Sequence, residues 1–412
     1  MKNIIYLALI AMMVSACSQV KTINVTVENL SSLERIGEIV EVPMVEVVEK
    51  LHLADTAQVI VLDENGQQVP YQITYDEKLV FPSTVKANGQ AIYTIAVGTP
   101  IAFDTKTTGK QYPERVDDVA WENDRIAFRT YGPALQASGE KAYGYDIWVK
   151  NTEEPVVETR YEMELNSDVL AEIERMKKID ADSAKSLRQL TSYHVDHGNG
   201  LDCYKVGPTL GGGAAALMVG DTIVYQNCYL TQEILDNGPL RFTVKLTYNP
   251  LTIRGNTEVV ETRVITLDQG SQLNKTVVNY SHLNEPLSVV TGIVLHEENG
   301  GQNVAETAKG YIAYADPTDN VDNNNGIIYV GAVFPANVKE AKVNLFSAKE
   351  KALRGGADGH VMAISEYAPN SDYTYYWGAG WSKWGFNSFE AWTKYLDEYS
   401  QKVRTPLNVT LQ

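Results

Sequence analysis

Basic residues are scarce in this sequence. Its 412 residues contain 35 lysines and arginines against 52 aspartates and glutamates, which gives a net charge of −17. Because nucleic-acid binding needs a cationic face that displaces counterions, this balance argues against a nucleic-acid partner. It still permits an anionic ligand in a locally basic pocket. With 44% hydrophobic and 21% charged residues, the composition is that of an ordinary globular chain and not of a disordered one.

Long apolar runs are also missing. The longest apolar stretch is a short one near the N-terminus, in a segment typical of an export signal. Residues 1–16 read MKNIIYLALIAMMVSA, in which the apolar run is too short to span a bilayer. Small residues then lead into Cys17, the order of a bacterial lipoprotein cleavage box. We therefore expect a signal peptide over 1–16, a lipidated Cys17 and a tether over 17–22, with the lipid chains as the membrane anchor. The alternative is an ordinary secretion signal with a chance cysteine.

The residues after Cys17 carry no acidic run, which favours the periplasmic face of the outer membrane. Of the three cysteines, only Cys203 and Cys228 remain inside the folded chain. An oxidising compartment permits a disulfide between them, but both can equally be buried thiols, because sequence does not set the geometry of a bridge. Two cysteines alone cannot form a structural zinc site.

The pattern of short strands divides the chain in two. Residues 23–110 alternate Val, Ile, Tyr and Thr around turns such as Asn65-Gly66, which predicts a small N-terminal β-sandwich. The polar stretch 105–118 is the expected boundary. Long strand-like runs dominate residues 115–412, and they are too many for one small barrel, so we expect a large antiparallel sandwich of two sheets.

Two helical segments interrupt the strands of the second part. Residues 166–190 place apolar side chains at helical spacing. Ser388 is a suitable N-cap for a helix that runs from Phe389 to about Val403 and ends before Pro406. The fold class predicted from the sequence is therefore mainly β, with a few helices.

The first stretch that can carry chemistry reads WENDRIAFRTYGP and begins at Trp121. As a single strand it places Ile126 and Phe128 on one face and a row of polar and aromatic side chains on the other. We expect this row to line a polar cleft, because the fixed fork of arginine suits a carboxylate or a sulfate. The alternative is a solvated surface face. The predicted substrate-binding residues here are Trp121, Asn123, Arg125, Arg129 and Tyr131.

The richest stretch reads YHVDHGNGLDCYKVG and begins at Tyr193. Its glycines indicate a loop that runs into a strand, where side chains suited to proton transfer project together. The predicted catalytic residues are Tyr193, His194, His197, Tyr204 and Lys205. Two alternatives stay open: His-x-Asp-His can supply metal ligands, or the histidines only tie down the backbone. The glycine run at 211–213 fits a tight turn or close backbone packing and lacks a phosphate-binding pattern.

Aromatic residues are dense near the C-terminus, in the run YTYYWGAGWSKWGF. Such a run is typical of a platform on which sugar rings stack, and we expect Tyr376, Trp377 and Trp381 to bind substrate. The alternative is a terminal strand packed on the core. His296-Glu297 and His360 lie at predicted strand ends and are weaker candidates for the site.

Four motifs together resemble a Bacteroidetes lipoprotein family whose domain has no assigned function: WENDRIAFRTYGPAL, YGYDIWVK, YHVDHGNGLDCYKVGPTLGGGA and YYWGAGW. The family occurs in polysaccharide-utilisation gene clusters, and one relative is an ulvan oligosaccharide dehydratase. The resemblance covers most of residues 23–412. It implies a β-supersandwich of the galactose-mutarotase and hyaluronate-lyase type, and elimination at a uronic acid in an anionic oligosaccharide, without a metal or a cofactor.

Each step of such an elimination needs a chemical group that candidate residues of this sequence can supply. A cation must neutralise the uronate carboxylate, and Arg125 or Arg129 is suited to this. A base must take the C5 proton, and an acid must protonate the oxygen that leaves C4. The stretch from Tyr193 to Lys205 offers both. Two other functions stay open: a sugar-binding lipoprotein without catalysis, and a sugar hydrolase or epimerase, of which the hydrolase needs paired carboxylates.

Overall fold

The structure, a computed structural model, describes residues 22–54, 57–318 and 323–412. The predicted signal peptide, Cys17 and all but the last residue of the tether lie outside these residues. The described chain is mainly β, with 44% strand and 19% helix, which confirms the predicted class. None of its helices is long and apolar enough to cross a bilayer.

The N-terminal part is a sandwich of two small sheets, as predicted. Its elements are β1 Thr22–Glu28, β2 Arg35–Pro43, α1 Met44–Leu51, β3 Val59–Leu62, β4 Gln68–Val69, β5 Gln72–Ile73, β6 Lys78–Val85 and β7 Gln90–Val97. One sheet contains β1, β7, β3 and β4, and the other has the order β2-β6-β5. Alternating apolar residues such as Val25 and Phe81 fill the space between the two sheets.

The second part begins with a five-stranded sheet that several helices cover. Its elements are β8 Thr107–Tyr112, β9 Asp118–Asn123, β10 Ala127–Thr130, α2 Pro133–Ser138, β11 Asp146–Lys150, α3 Val157–Glu164, α4 Ser167–Lys177, α5 Ala181–Thr191 and β12 Gly200–Asp202. The strand order is β12-β11-β10-β9-β8. We call this the covered sheet. Its inner face belongs to the main core, and its outer face packs against α3.

The remaining elements build two larger sheets. They are β13 Gly212–Val219, β14 Thr222–Val224, β15 Thr231–Asn237, β16 Arg241–Thr247, β17 Leu251–Ile253, β18 Asn256–Asp268, β19 Leu273–Ser281, β20 Leu287–Leu295, β21 Asn303–Glu306, β22 Tyr311–Asp316, β23 Ile328–Val333, β24 Glu340–Leu345, α6 Ala348–Leu353, β25 Gly359–Tyr367, β26 Tyr373–Trp381, α7 Phe389–Arg404 and β27 Asn408–Leu411. A nine-stranded sheet has the order β15-β16-β18-β19-β26-β23-β22-β21, with β17 paired to β18. It shares the main core with a second sheet of order β14-β13-β20-β25-β24, which confirms the predicted large sandwich.

Two strands correct the predicted domain boundary. The stretch 105–118, expected to be a linker, contains β8, which pairs with β9. Its residues are polar because β8 lies at the edge of the covered sheet. At the other end of the chain, β27 pairs with β1 and so joins the N-terminal sandwich instead of the second part.

The stretch from Trp121 to Tyr131 is a hairpin and not one strand. A turn at 124–126 separates β9 from β10, and Phe128 lies opposite Trp121 in the register. Directly opposite residues point to the same face of a sheet. Trp121 and Phe128 therefore share the inner face, and Arg129 points to the outer one. The expected single row of Trp121, Arg125 and Arg129 is wrong.

The helices follow the prediction in outline. The segment predicted over 166–190 breaks at 178–180 into α4 and α5, because Asp180 accepts hydrogen bonds from two backbone amides and caps a new helix. Ser388 caps α7 as expected, with its hydroxyl accepting from the Ala391 amide. The glycine run also forms the predicted close approach, since a Cβ on Gly211 would lie 2.5 Å from the Tyr145 carbonyl oxygen.

Candidate functional site

The outer face of the covered sheet holds a group of buried charges. Arg129 donates from Nε to Asp146 Oδ2 at 2.7 Å and from Nη2 to Asp202 Oδ2 at 2.9 Å. Its Nη1 lies 3.6 Å from Asp118 Oδ2 and 3.5 Å from the Tyr193 hydroxyl. We call these five residues the arginine cluster. The register of β9 to β12 brings its three aspartates together, although they are far apart in sequence.

Helix α3 holds this cluster away from solvent. The Glu122 carboxylate accepts from the backbone amides of Val156 and Val157, at 2.9 and 2.8 Å, and so fixes the start of the helix to the sheet. Farther along α3, the Tyr161 hydroxyl donates to Asp118 Oδ2 at 3.2 Å. Arg129 is consequently only 5% exposed. The cluster is part of the interior and not the floor of an open cleft.

Arg129 does not take the expected place beside a substrate. Its fork is occupied by three aspartates, so it has no free edge for a substrate carboxylate. Burial raises the pKa of Asp118 to about 6, although the charges of Arg129 and Arg115 act to lower it. The other oxygen of Asp118, Oδ1, has no hydrogen-bond partner among the described residues. The cluster is therefore a buried network of ion pairs, in which the cost of removing water from the aspartates opposes their attraction to Arg129.

Three other members of the predicted row also belong to the interior. Trp121 donates from its indole nitrogen to Asn274 Oδ1 at 2.8 Å. The Asn123 amide donates to the carbonyl oxygens of Asp268 and Ser271, at 2.7 Å each. Tyr131 is buried, with its ring 5.2 Å from the Arg129 guanidinium. These contacts correct the prediction that the three residues bind substrate, because their polar atoms or rings already have partners in the core.

Arg125 is the member of the row that reaches solvent. It lies at the tip of the β9–β10 hairpin, and its side chain is 38% exposed. Its guanidinium lies 3.4 Å from the Glu153 carboxylate and 5.9 Å from the ring of Trp384. Its prediction as a substrate-binding residue is compatible with this exposed position.

The predicted catalytic loop is divided between the interior and the surface. Tyr193 is buried in the arginine cluster, where its hydroxyl also accepts from Arg115 Nε at 3.2 Å. His194 and His197 are exposed, and each contacts a backbone carbonyl at 3.0 Å, that of Asp202 and that of Ser192 respectively. Both histidines therefore tie down the loop, which is the structural alternative. Their catalytic role stays a prediction.

The C-terminal aromatic run does not form the expected platform. Trp377 stacks on Tyr145 at a centroid distance of 3.9 Å, and Trp381 donates from its indole nitrogen to the Asn325 carbonyl at 2.8 Å. Tyr376 is half-buried and packs its ring against Tyr399. The reason is that β26 lies in the middle of the nine-stranded sheet, between β19 and β23. Trp377 and Trp381 are parts of the core, which contradicts the prediction that they stack on sugars. The half-buried Tyr376 stays a predicted substrate-binding residue.

A second cluster lies where β20 and β22 end. His296 directly follows β20, and its Nδ1 lies 2.6 Å from Oδ2 of Asp316, the last residue of β22. The other oxygen of Asp316 accepts from the Thr318 amide at 2.8 Å. The ring of Tyr204 meets the His296 ring edge to face, with centroids 6.0 Å apart. We call His296, Asp316 and Tyr204 the histidine cluster.

The histidine cluster has the electrostatics of a proton-transfer site. Burial acts to lower the pKa of His296, but the charge and the hydrogen bond of Asp316 outweigh it, and the pKa is raised above its ordinary value of 6.5. Because Asp316 binds Nδ1, the other ring nitrogen, Nε2, is on the free edge of the ring. The side chain of His296 is 13% exposed, so the residue lies at the edge of the interior and not deep within it.

Tyr204 and Lys205 flank this histidine. The Tyr204 hydroxyl is buried and has no hydrogen-bond partner among the described residues, and burial raises its pKa well above the ordinary value. Lys205 is exposed, and its charge acts to lower the pKa of His296. Asp146 of the arginine cluster acts to raise the pKa of Tyr204 as well. The stretch from Tyr193 to Lys205 therefore links both clusters.

Only a weak signal for the histidine cluster is present in the sequence. His296 follows the nine-residue apolar strand LSVVTGIVL, so a polar side chain stands at the end of a buried strand. Asp316 closes the buried strand YIAYAD in the same way. Nothing in their spacing shows that the two strand ends meet, because the strands belong to different sheets. His360 is fully buried, and its pKa is lowered to about 3 by desolvation, so it stays neutral.

Thiols and metal ligands add nothing to this site. Cys203 and Cys228 are both buried as thiols and are not joined by a disulfide. In the part of the chain that the structure describes, no three His, Cys, Asp or Glu side chains are arranged to hold a metal ion. The arginine cluster gathers three carboxylates, but they surround a guanidinium.

Comparison with known proteins shows the family. The model of a domain of unknown function, DUF4861, matches residues 27–409. The chain belongs to the DUF4861 family. This DUF4861 protein is also 26% identical over 433 aligned residues to "Uncharacterized protein P7" of Formosa agariphila, with both chains covered completely.

Two solved structures are similar to this DUF4861 protein at low sequence identity. One is a protein in the glycosyl hydrolase family 38 from Enterococcus faecalis, with 11% identity and a TM-score of 0.43, which aligns with 95% of this chain and 47% of its own. The other is an α-mannosidase from Enterococcus faecalis, with 11% identity, a TM-score of 0.44 and coverages of 95% and 46%. The chain thus spans about half the length of these structures.

Proposed function

We propose that this DUF4861 protein acts on uronate-containing oligosaccharides and catalyses an elimination at a uronic acid in the histidine cluster. The observation that carries the proposal is the His296–Asp316 pair, whose imidazole ring meets the Tyr204 ring edge to face. A histidine whose Nδ1 is bound by a carboxylate can take a proton at Nε2 as a general base and return it as a general acid. The sequence resemblance to an oligosaccharide dehydratase supports the same reaction.

Each group has a task in the proposed reaction. His296 Nε2 takes the C5 proton, the electrons of the C5–H bond form the C4–C5 double bond, and the C4–O bond breaks. The proton on His296 then passes from Nε2 to the leaving oxygen, while Tyr204, whose hydroxyl is buried, packs its ring against the imidazole. Lys205, the exposed cation next to the cluster, neutralises the uronate carboxylate while negative charge develops. A C4 hydroxyl leaves as water, and a C4 glycosidic oxygen leaves as the next sugar.

The proposed location follows from the sequence and is separate from the reaction. The Cys17 motif supports a lipoprotein anchored to the outer membrane, with the folded chain on the periplasmic side. An oligosaccharide already imported through the outer membrane would meet the protein there. Neither a metal nor a cofactor takes part in the proposed steps.

Incubation of the full mature chain with uronate-containing oligosaccharides tests the proposal. We expect ultraviolet absorbance from a 4,5-unsaturated uronate, together with either a mass loss equal to water or chain cleavage. The His296→Ala variant is expected to give neither signal, while its melting temperature stays close to that of the wild type. A mass gain equal to water would replace elimination by hydrolysis. Binding without any change of mass would leave a sugar-binding protein.

A further inference from the structure

Asp316 lies at one end of the nine-stranded sheet. At the same end, two cationic side chains lie against tryptophan rings. Asp316 of β22 lies opposite Ile328 of β23, and Ile328 lies opposite Trp381 of β26. Neighbouring strands are about 4.8 Å apart, so the backbone at Trp381 is about 10 Å from that at Asp316. The chain that leaves β26 at Trp381 therefore starts within reach of a ligand bound at the histidine cluster.

That chain turns at once and presents two cation–aromatic contacts. Lys383 Nζ lies 5.6 Å from the ring centroid of Trp381, and Arg125 Cζ lies 5.9 Å from that of Trp384. We call Arg125, Lys383 and Trp384 the cation–aromatic surface. Trp384 is half-buried, Lys383 is exposed, and the neighbouring Gly385 has open space where a side chain would stand. One face of the loop is therefore open beside an aromatic ring.

The cations of this surface are only loosely engaged. Arg125 lies 3.5 Å from the Asp124 carboxylate and 3.4 Å from that of Glu153. Asp124 is itself held by the Gly270 amide, which donates to its Oδ1 at 2.7 Å. Ion pairs this long at a solvent-exposed arginine are weak. Lys383 has no carboxylate within 4.0 Å among the described residues. A ligand anion can therefore compete for both cations.

We propose that the cation–aromatic surface is a second subsite, which binds an acidic sugar residue next to the one that reacts. An aromatic ring offers its face to the apolar C–H side of a sugar ring, and arginine and lysine bind the carboxylate or sulfate that the sugar carries. The proposal rests on the proposed function for the position of the reacting residue. It makes the preferred substrate an acidic oligosaccharide instead of a single uronate.

Two variants of Trp384 test the subsite, and a variant of Arg254 is the control. Trp384→Ala removes the ring, and Trp384→Phe keeps the packing if the alanine variant unfolds early. Arg254→Gln is the control, because Arg254 is also exposed and ion-paired, with Glu285 at 2.8 Å, but lies in the β17–β18 turn. Calorimetry with a uronate oligosaccharide is carried out in the His296→Ala background, so that binding is measured without turnover.

We expect Trp384→Ala to weaken oligosaccharide binding about tenfold, with a smaller loss for Trp384→Phe and no change for Arg254→Gln. With His296 intact, the ratio of kcat/KM for a long substrate to that for the shortest one should fall by a similar factor. Equal affinities of the Trp384→Ala and Arg254→Gln variants would overturn the subsite. Binding that depends on Trp384 but never leads to turnover would uphold the subsite and refute the proposed elimination.

Discussion

Asp316 Oδ2 lies 2.6 Å from His296 Nδ1, and the two residues come from different sheets of the large sandwich. His296 follows a strand of the five-stranded sheet β14-β13-β20-β25-β24, and Asp316 ends a strand of the nine-stranded sheet. The pair joins the sheets at one end of the main core. This contact fixes the orientation of the His296 ring and leaves Nε2 as the ring nitrogen that Asp316 does not bind.

The first prediction concerns the pH dependence of turnover. His296 must be neutral to act as a base, and its pKa is raised above 6.5 by Asp316. We therefore expect kcat/KM to fall as the pH drops through a value above 6.5. Asp316→Asn removes the charge that raises the pKa, so the acidic limb of the profile should move to lower pH and the maximal rate should drop. Profiles with identical acidic limbs would contradict the proposed base.

The second prediction separates catalysis from stability at Tyr204. Its buried hydroxyl has no partner among the described residues, so Tyr204→Phe leaves no other buried polar group without a partner. We expect the melting temperature to be unchanged or higher and turnover to stay within about threefold of the wild type, because phenylalanine keeps the ring that packs against His296. Tyr248→Phe is the matched control, because the Tyr248 hydroxyl is equally buried and has no partner in the described part of the chain, but its ring lies beside Arg263. A large loss of turnover in Tyr204→Phe alone would contradict this and show that the hydroxyl takes part in proton transfer.

The third prediction concerns the stability of the arginine cluster. Arg129→Ala leaves Asp118, Asp146 and Asp202 buried without their shared cation. We expect the free energy of unfolding to decrease by about 3–5 kcal/mol, measured by urea denaturation. Arg254→Ala, at the surface, should leave the urea midpoint unchanged. A loss as small as that of this control would show that the aspartates are neutral or hydrated.

The fourth prediction concerns Asp118 and the pH dependence of folding. Burial raises its pKa from 3.8 to about 6 in the folded chain. The folded state therefore binds this proton more tightly than the unfolded state, and the resulting stability is lost as the pH rises from about 4 through about 6. We expect the unfolding free energy of the wild type to decrease over this range relative to Asp118→Asn. A constant difference between the two proteins would contradict the raised pKa.

The fifth prediction concerns the membrane anchor. Cys17→Ser removes the proposed lipidation site and should leave the precursor unprocessed or release the protein from the membrane fraction. Fractionation of cells and the mass of the mature N-terminus measure both outcomes. Cys228→Ser is a suitable control, because this thiol is buried in the fold and takes no part in anchoring. Normal processing and unchanged membrane association of Cys17→Ser would refute the lipoprotein proposal.

The class of the fold could be predicted from the sequence alone, because strands, turns and helix caps depend on neighbouring residues. Alternating strands, a hairpin turn at Asn65-Gly66 and the Ser388 cap each depend on a few neighbouring residues, and all have structural counterparts. The sequence also pointed to the stretch from Tyr193 to Lys205, which contacts both clusters. It did not show that residues 124–126 form a turn. Asp124 and Arg125 fit the alternation of a single strand as well as they fit a turn, so the pattern of apolar residues does not distinguish the two.

Which polar residues are accessible depends on the packing of the whole chain. Arg129, Trp377 and Trp381 have the composition of a binding site, but the covering helix and the central position of β26 bury them. His296 and Asp316 are 20 residues apart and belong to two sheets, so only the packing of those sheets brings them into contact. Burial and long-range pairing depend on the whole chain at once, and no local pattern of residues encodes them.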